Sequence, residues 1–470
     1  MMLKTDLARE LGHSPGAGGD DGGAPRARTR RGALRALGAT GAAGTALLAA
    51  ACGGPPSGDS RPAASGKGLS GTLSIWWPNA SFDPTASIGG EMQKTFTAQH
   101  PGVTIDAIVE GSGDKLKTQA AAGTPPDFFH TQSYWQTTWG VTGINTQLDD
   151  YLKRSKAIKP DDIWPLKLKE VQHQGKTWAL PYSIDSRVIY INADHYARAG
   201  YDLTKPPQTW DDFEKTIPAL TKQAGPGELT QFAFDPFLSS GALQRWMVPF
   251  WQLGGEFHNP EGTKITIANE RGIRALDWIM KLFNLQGGWP ALEKAQAGVT
   301  PAERLFLQNR ASYMYATFST KASVFNKEAP DFKFGFMDYP RPPGGKVANY
   351  AGGWAICIPK GAKNADAAFA FIEHLYAPEN DAKWHTFHLR VPVHMSVAKS
   401  ADFTKNDPFL KLTMDGMAGG RFVASIPGGE GILPVMNAMV TKVRAGQASV
   451  RDALQEAEQL AQQEVDKLRS

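Results

Sequence analysis

Cysteine is almost absent from this 470-residue chain. Only Cys52 and Cys357 occur, too few for a fold stapled by disulfides. A surplus of one charge is missing as well. Lysine and arginine number 50 against 46 aspartates and glutamates. Seven of those cations and four of those acids lie in the first 51 residues, so the remainder carries 43 against 42. A nucleic-acid partner, which needs a basic stripe, is therefore not expected. No Gly-x-x-x-x-Gly-Lys-Ser/Thr loop is present and no Gly-x-Gly-x-x-Gly turn follows a strand pattern, which leaves nucleotide binding without its usual devices. The body after residue 51 also lacks a Gly-x-Ser-x-Gly nucleophile elbow. The ten histidines are scattered, and His385, His388 and His394 form the one cluster. With no acidic ligands in the pattern, that cluster reads as ordinary packing, and neither a metal nor a cofactor is expected. Glycoside hydrolysis needs two opposed carboxylates. The adjacent pairs Asp149-Asp150 and Asp211-Asp212 read as a solvated loop and a helix start, so no catalytic residue is assigned.

What is present begins with an export address. Arg26 to Arg35 is basic, and Ala36 to Ala51 is a run of small apolar residues broken only by Gly and Thr. That run is too short and too weakly apolar to span a membrane stably. Thr29-Arg30-Arg31 with Leu34 resembles a twin-arginine export signal. Leu48-Ala49-Ala50-Ala51-Cys52-Gly53 resembles a bacterial lipobox, which makes Cys52 the expected lipidation site and residues 1–51 the leader and signal. Residues 52–70, rich in Gly, Pro, Ser and Ala, read as a lipidated cysteine on a solvated tether. The expected location is extracytoplasmic, on the membrane surface through that lipid. Cys357 has no partner and reads as a small buried apolar side chain.

The body alternates strand and helix patterns. Leu73 to Trp77 is a short strand, while Ile88, Met92 and Phe96 recur at helical spacing. Val103 to Val109 alternates strictly, as a half-buried strand does. Strand, helix and strand in some forty residues make a βαβ unit. Asp114 to Ala122 reads as a helix and Pro125 to Phe129 as a buried strand. Arg187 to Asn192 is another apolar strand. Thr209 caps a helix opening with Trp210-Asp211-Asp212-Phe213, where Trp210 reads as a packing anchor. Apolar stripes at Ala365, Ala368, Phe369 and Ile372, and at Val450, Ala453, Leu454 and Ala457, mark later helices, the last capped by Ser449. The class is α/β.

Four segments in order carry a resemblance. Pro181 to Asn192 resembles the signature of the family 1 extracellular solute-binding proteins of ABC importers, with Tyr182 and Ile191 departing from it. Pro207-Gln208-Thr209-Trp210-Asp211-Asp212-Phe213, Asn309 to Met314, and Gly352-Gly353-Trp354-Ala355-Ile356 with Lys363-Asn364 are similar to that family's later segments. The resemblance implies a two-lobed, type II periplasmic-binding fold that closes on ligand about crossing strands. It divides the body into an N-terminal lobe of residues 71–182 plus 356–392 and a C-terminal lobe of 183–355 plus 393–470. It also implies ABC permease subunits as partners and a small sugar as ligand. A monomer is expected.

All 13 tryptophans follow residue 51, and a pyranose suits an aromatic platform beside polar side chains. Trp76 and Trp77 end the first strand. Only one of two neighbours can face a cleft, so one is expected there and one in the core. Trp246, Trp251 and Trp354 are further platform candidates, with Gly352 and Gly353 allowing backbone to approach the ligand. The polar candidates are Asn79, Gln132, Tyr134, Asp185, Arg187, Thr317, Phe318, Ser319 and Arg390. The resemblance places a ligand-binding acid at Asp185, with pairing to Arg187 as the purely structural alternative. The leading reading is a receptor for a sugar, an oligosaccharide by preference. A phosphorylated or otherwise charged solute, kept open by Arg187 and Arg390, and a secreted carbohydrate-active enzyme are the alternatives.

Overall fold

The computed structural model describes residues 68–78, 87–238, 242–299, 303–317, 319–400, 403, 410–411, 414, 419–422 and 425–469. The export signal, Cys52, most of the tether, Asn79 and Phe318 lie outside the described residues.

Strand β1 (Gly71–Trp77) leads to helix α1 (Ile88–Gln99), strand β2 (Val103–Val109), helix α2 (Gly113–Ala121) and strand β3 (Phe128–Gln132). Ser87 caps α1 by accepting from the Gly90 N–H, and Ser112 caps α2 by accepting from the Lys115 N–H. Both β2 and β3 pair with β1 in parallel. The strand expected from Pro125 starts only at Phe128. Neither proline has an N–H for the ladder, so pairing waits until both are passed. Helix α3 (Pro165–Glu170) then precedes β4 (Leu180–Asp185).

After the single residue Ser186 the chain enters β5 (Arg187–Asn192) and a second region. Here stand α4 (Trp210–Ala219), α5 (Ala242–Gln252), α6 (Glu270–Asn284), β6 (Tyr313–Thr317) and β7 (Phe334–Met337). The Thr209 hydroxyl caps α4 on the Asp212 N–H, as its sequence announces. Trp210 stacks on Trp278 with centroids 4.2 Å apart and donates Nε1–H to the Pro340 carbonyl. Strand β8 (Gly352–Cys357) returns to the first region, followed by α7 (Ala365–Leu375) and α8 (Pro378–His388). The chain ends in α9 (Gly429–Arg444) and α10 (Val450–Asp466), the latter capped by Ser449.

Two sheets result. The first has the order β2-β1-β3-β8-β4, with β8 antiparallel to both neighbours, and the second has the order β6-β5-β7. Each carries its own core. Leu73, Ile75, Trp77, Phe96, Phe128, Ile356 and Phe371 belong to one. Ile189, Trp210, Phe213, Trp246, Trp278, Met436 and Leu454 belong to the other, so α9 and α10 pack in the second lobe. Three stretches link the lobes: the step from Asp185 to Arg187, the step from Tyr350 to Gly352, and Val391, which bridges back to Ile184. Cys357 is buried in the first lobe, and burial pushes its thiol well up.

Candidate functional site

The two sheets meet at their strand ends, and the ends carry polar residues. Gln132 closes β3, Asp185 closes β4, Arg187 opens β5 and Thr317 closes β6. Trp354 lies opposite both Gln132 and Ser183, Gly352 lies opposite Asp185, and Thr317 lies opposite Arg187. Six candidate positions from both lobes are thus brought to one place by ladder register. A bulge between Trp354 and Ala355 locally re-aims the strand there.

An aromatic column runs from the core to this place. Trp77 stacks on His130 with centroids 3.7 Å apart and planes 4° apart. His130 in turn faces Trp354 at 5.1 Å and 11°. Trp77 and His130 are buried, whereas Trp354 keeps part of its surface exposed. Trp77 is therefore the core member of the tandem pair. Trp76 is 7 % exposed, lies edge-on to Phe129 and carries the Lys115 ammonium 5.0 Å from its ring. Burial, with the Arg390 and His388 charges added, presses the His130 imidazole well below its usual range and keeps it neutral.

Asp185 pairs with Arg390, Oδ1 to Nε at 3.5 Å, and Arg390 Nη1 donates to the Ser183 hydroxyl at 3.1 Å. The alternative pairing of Asp185 with Arg187 does not form. The Arg187 guanidinium lies instead over the Tyr350 ring, 4.4 Å from its centroid. Beneath them Lys167 and Glu170, both fully buried, form an ion pair on α3. Burial raises the Glu170 carboxyl against the opposing pull of Lys167. The Ser133 hydroxyl stands 3.5 Å from Lys167 Nζ and donates to the Gly353 carbonyl at 2.8 Å. Tyr134 is also buried, which pushes its phenol well up. Thr317 and Ser319 share a hydroxyl–hydroxyl bond of 2.9 Å at the half-buried end of β6.

Other candidates fall elsewhere. Trp246 has no exposed surface and stacks on Phe250 at 4.7 Å inside the second core, leaving no face for a ligand. Trp251, 2 % exposed, has the Arg421 guanidinium 5.6 Å from its ring. It borders a cavity of about 990 Å³ shared by Leu166, Lys169 and His173 of the first lobe and Phe257 and Arg421 of the second. None of Gln132, Asp185, Arg187, Trp354 or Arg390 lines that cavity. Gly352 and Gly353 are buried against protein. A Cβ on Gly352 would stand 2.0 Å from the Tyr350 hydroxyl, and one on Gly353 (φ 153°) would stand 2.0 Å from the Ser183 carbonyl oxygen. Their lack of side chains makes room for β4 and Tyr350 rather than for a ligand. Asp149 and Asp150 open a short helix, where Asp149 accepts from the Thr177 N–H, instead of lying in a loop.

The histidine cluster has a carboxylate partner that spacing alone did not disclose. Asp381 accepts from His394 Nδ1 at 2.8 Å, and its carboxylate lies 2.8 Å from His385 Nδ1. His385 Nε2 faces the Tyr182 carbonyl at 2.8 Å, so both ring nitrogens look at oxygen acceptors. The trio ties α8 and the third linking stretch to β4. A second tie joins the lobes directly. Glu430, at the start of α9, meets Lys117 Nζ of α2 at 2.6 Å and accepts from Trp139 Nε1 at 3.0 Å.

A family model described as bacterial extracellular solute-binding protein matches residues 79–382. A probable ABC transporter-binding protein of Deinococcus radiodurans is 26 % identical over 277 residues, 57 % of this chain and 63 % of that protein. The maltodextrin-binding protein MdxE of Bacillus subtilis is 25 % identical over 266 residues, 53 % of this chain and 58 % of its own. The match thus spans under two thirds of both relatives. Among solved structures, that of CpMnBP1 with mannotriose bound superposes with a TM-score of 0.73 at 23 % identity, covering 83 % of this chain and 99 % of that one. This last likeness concerns the fold, two lobes of the α/β class.

Proposed function

The chain belongs to the bacterial extracellular solute-binding proteins, and from that premise we propose a lipid-anchored receptor that captures a saccharide between its lobes and hands it to an ABC permease. The observation that carries the saccharide is the aromatic column ending in the half-exposed ring of Trp354, beside Gln132, Asp185 and Arg390. A sugar ring lays its C–H face on such an indole while its hydroxyls bond carboxylate, amide and guanidinium. Two relatives whose names or titles mention maltodextrin and mannotriose support the choice of an oligosaccharide. Closure follows from differential contact. A ligand touching β3 and β4 on one side and β5 and β6 on the other favours the state in which both sides reach it. Binding needs no covalent step, and no nucleophile or base is assigned.

Titration calorimetry with maltotriose, mannotriose and chitobiose, followed by chromatography of the recovered sugar, tests the reading. A saturable one-to-one event with intact ligand supports the receptor; recovery of cleaved sugar replaces it with the enzyme. For the anchor, Cys52→Ser expressed in a lipoprotein-processing bacterium moves the protein from the membrane to the soluble fraction. Continued membrane association of that variant removes the lipid from the proposal.

A further inference from the structure

Arg187 is a buried cation with no acidic partner among the described residues. The residue is 7 % exposed, and its Nε and Nη1 are both buried with no hydrogen-bond acceptor. Its guanidinium lies over the Tyr350 ring, which offers a π face but no charge. The two carboxylates of this region are already engaged, Asp185 with Arg390 and Glu170 with Lys167. Among the described residues here, Arg187, Arg390 and Lys167 therefore face two anions. Burial, and then the Arg187 charge, push buried Arg245 down to about 9. A guanidinium out of water without an acceptor is costly, and a charge-assisted bond is what offsets that cost.

We propose that the captured saccharide carries a carboxylate, as a uronate does, and that Arg187 is the group that binds it. The charge count selects a carboxylate over a phosphate. One negative charge at Arg187 balances the cluster, and each uronate ring carries one, whereas a phosphate monoester concentrates close to two on a single group and would face Asp185 across the same strand ends. A neutral sugar could fill the hydroxyl-binding positions but would leave Arg187 as it stands. In the bound state the sugar ring lies on Trp354, a hydroxyl donates to the Asp185 carboxylate, and the sugar's own carboxylate meets Arg187. Arg187 is thus the specificity-determining residue, and this assignment rests on the saccharide reading above.

The test is calorimetry on the wild-type protein at pH 7 with α-1,4-digalacturonate, its neutral dimethyl ester, maltotriose and galactose 6-phosphate. The expected result is that digalacturonate binds at least about 30-fold more tightly than the ester, with an affinity that falls as salt is added. Arg187→Met should abolish that preference while Arg187→Lys retains part of it, and thermal melts show whether each variant is folded. Equal or tighter binding of the ester or of maltotriose overturns the carboxylate assignment and leaves the saccharide receptor standing. Binding of galactose 6-phosphate without digalacturonate also overturns it. If a folded wild-type protein binds no sugar of the panel, both the saccharide reading and this assignment fall.

Discussion

Trp354 and Trp246 are the same residue type in opposite situations. Trp354 is the outer ring of a stack and stays partly exposed, whereas Trp246 is sealed between α5 and α6. Removing the first should cost binding, and removing the second should cost folding. Trp354→Ala is expected to weaken saccharide binding by about 10- to 100-fold, consistent with a contact of roughly 1.4–2.7 kcal/mol, and to move the melting temperature little. Trp246→Ala is expected to lower stability by about 3–5 kcal/mol, read from denaturant unfolding. The reverse pattern would exchange their roles. Sequence alone distinguished these two poorly, because both precede or follow glycine-rich segments and both look like platforms. Asp185, Arg390 and Trp354 were legible as a group because motif order placed them at or beside the crossings between lobes. His130, Lys167 and Glu170 were not. A histidine inside a buried strand and an i, i+3 Lys/Glu pair on a six-residue helix have no pattern that separates them from surface residues.

Elements were more legible than side chains. Each cap read from the sequence, at Thr209 and Ser449, accepts the backbone N–H three residues on. The alternation of Val103 to Val109 also fell on a strand. What local pattern could not supply was pairing across distance, as with α8 and its neighbours. Asp381 is an acid that α8 buries, and only the fold brings His394 round to it. Burial raises its carboxyl, but the contacts with His385 and His394 outweigh burial and hold it down at about 2. A carboxyl held below its ordinary 3.8 adds stability that is complete above that value and is lost as pH falls through about 2. Asp381→Asn should therefore destabilise the protein by about 3–5 kcal/mol near neutrality. The gap between wild type and variant should narrow steadily from pH 4 toward pH 2 in urea unfolding. A gap independent of pH would mean that the carboxylate charge contributes nothing there.

For the whole molecule, the Glu430 tie is the lever on lobe position. It couples α9 of the second lobe to α2 and to Trp139 of the first. Both charged partners keep some exposure, so solvent screening reduces the ion pair to about 0.5–1 kcal/mol. Glu430→Ala should shift the molecule toward the open arrangement, weakening saccharide affinity about two- to fivefold, with a larger radius of gyration in small-angle scattering. An unchanged radius and unchanged affinity would show that the tie does not hold the lobes.

The placement of β8 has a consequence for the order in which the protein can be made. β8 lies between β3 and β4 in the first sheet, yet about 220 residues separate it from β3 in the chain. A ribosome delivering this chain from its N-terminus therefore releases β1 to β4 long before the strand that joins β3 to β4 exists. The second lobe, although later in sequence, can assemble β5 to β7 while the first still has a gap. Distant pairings of this kind close slowly and leave strand edges exposed meanwhile. Truncated chains ending at residue 345 and released from the ribosome should thus show protease protection in β5 to β7 and almost none in β3 and β4, and the first lobe should become resistant only in chains that extend past Cys357.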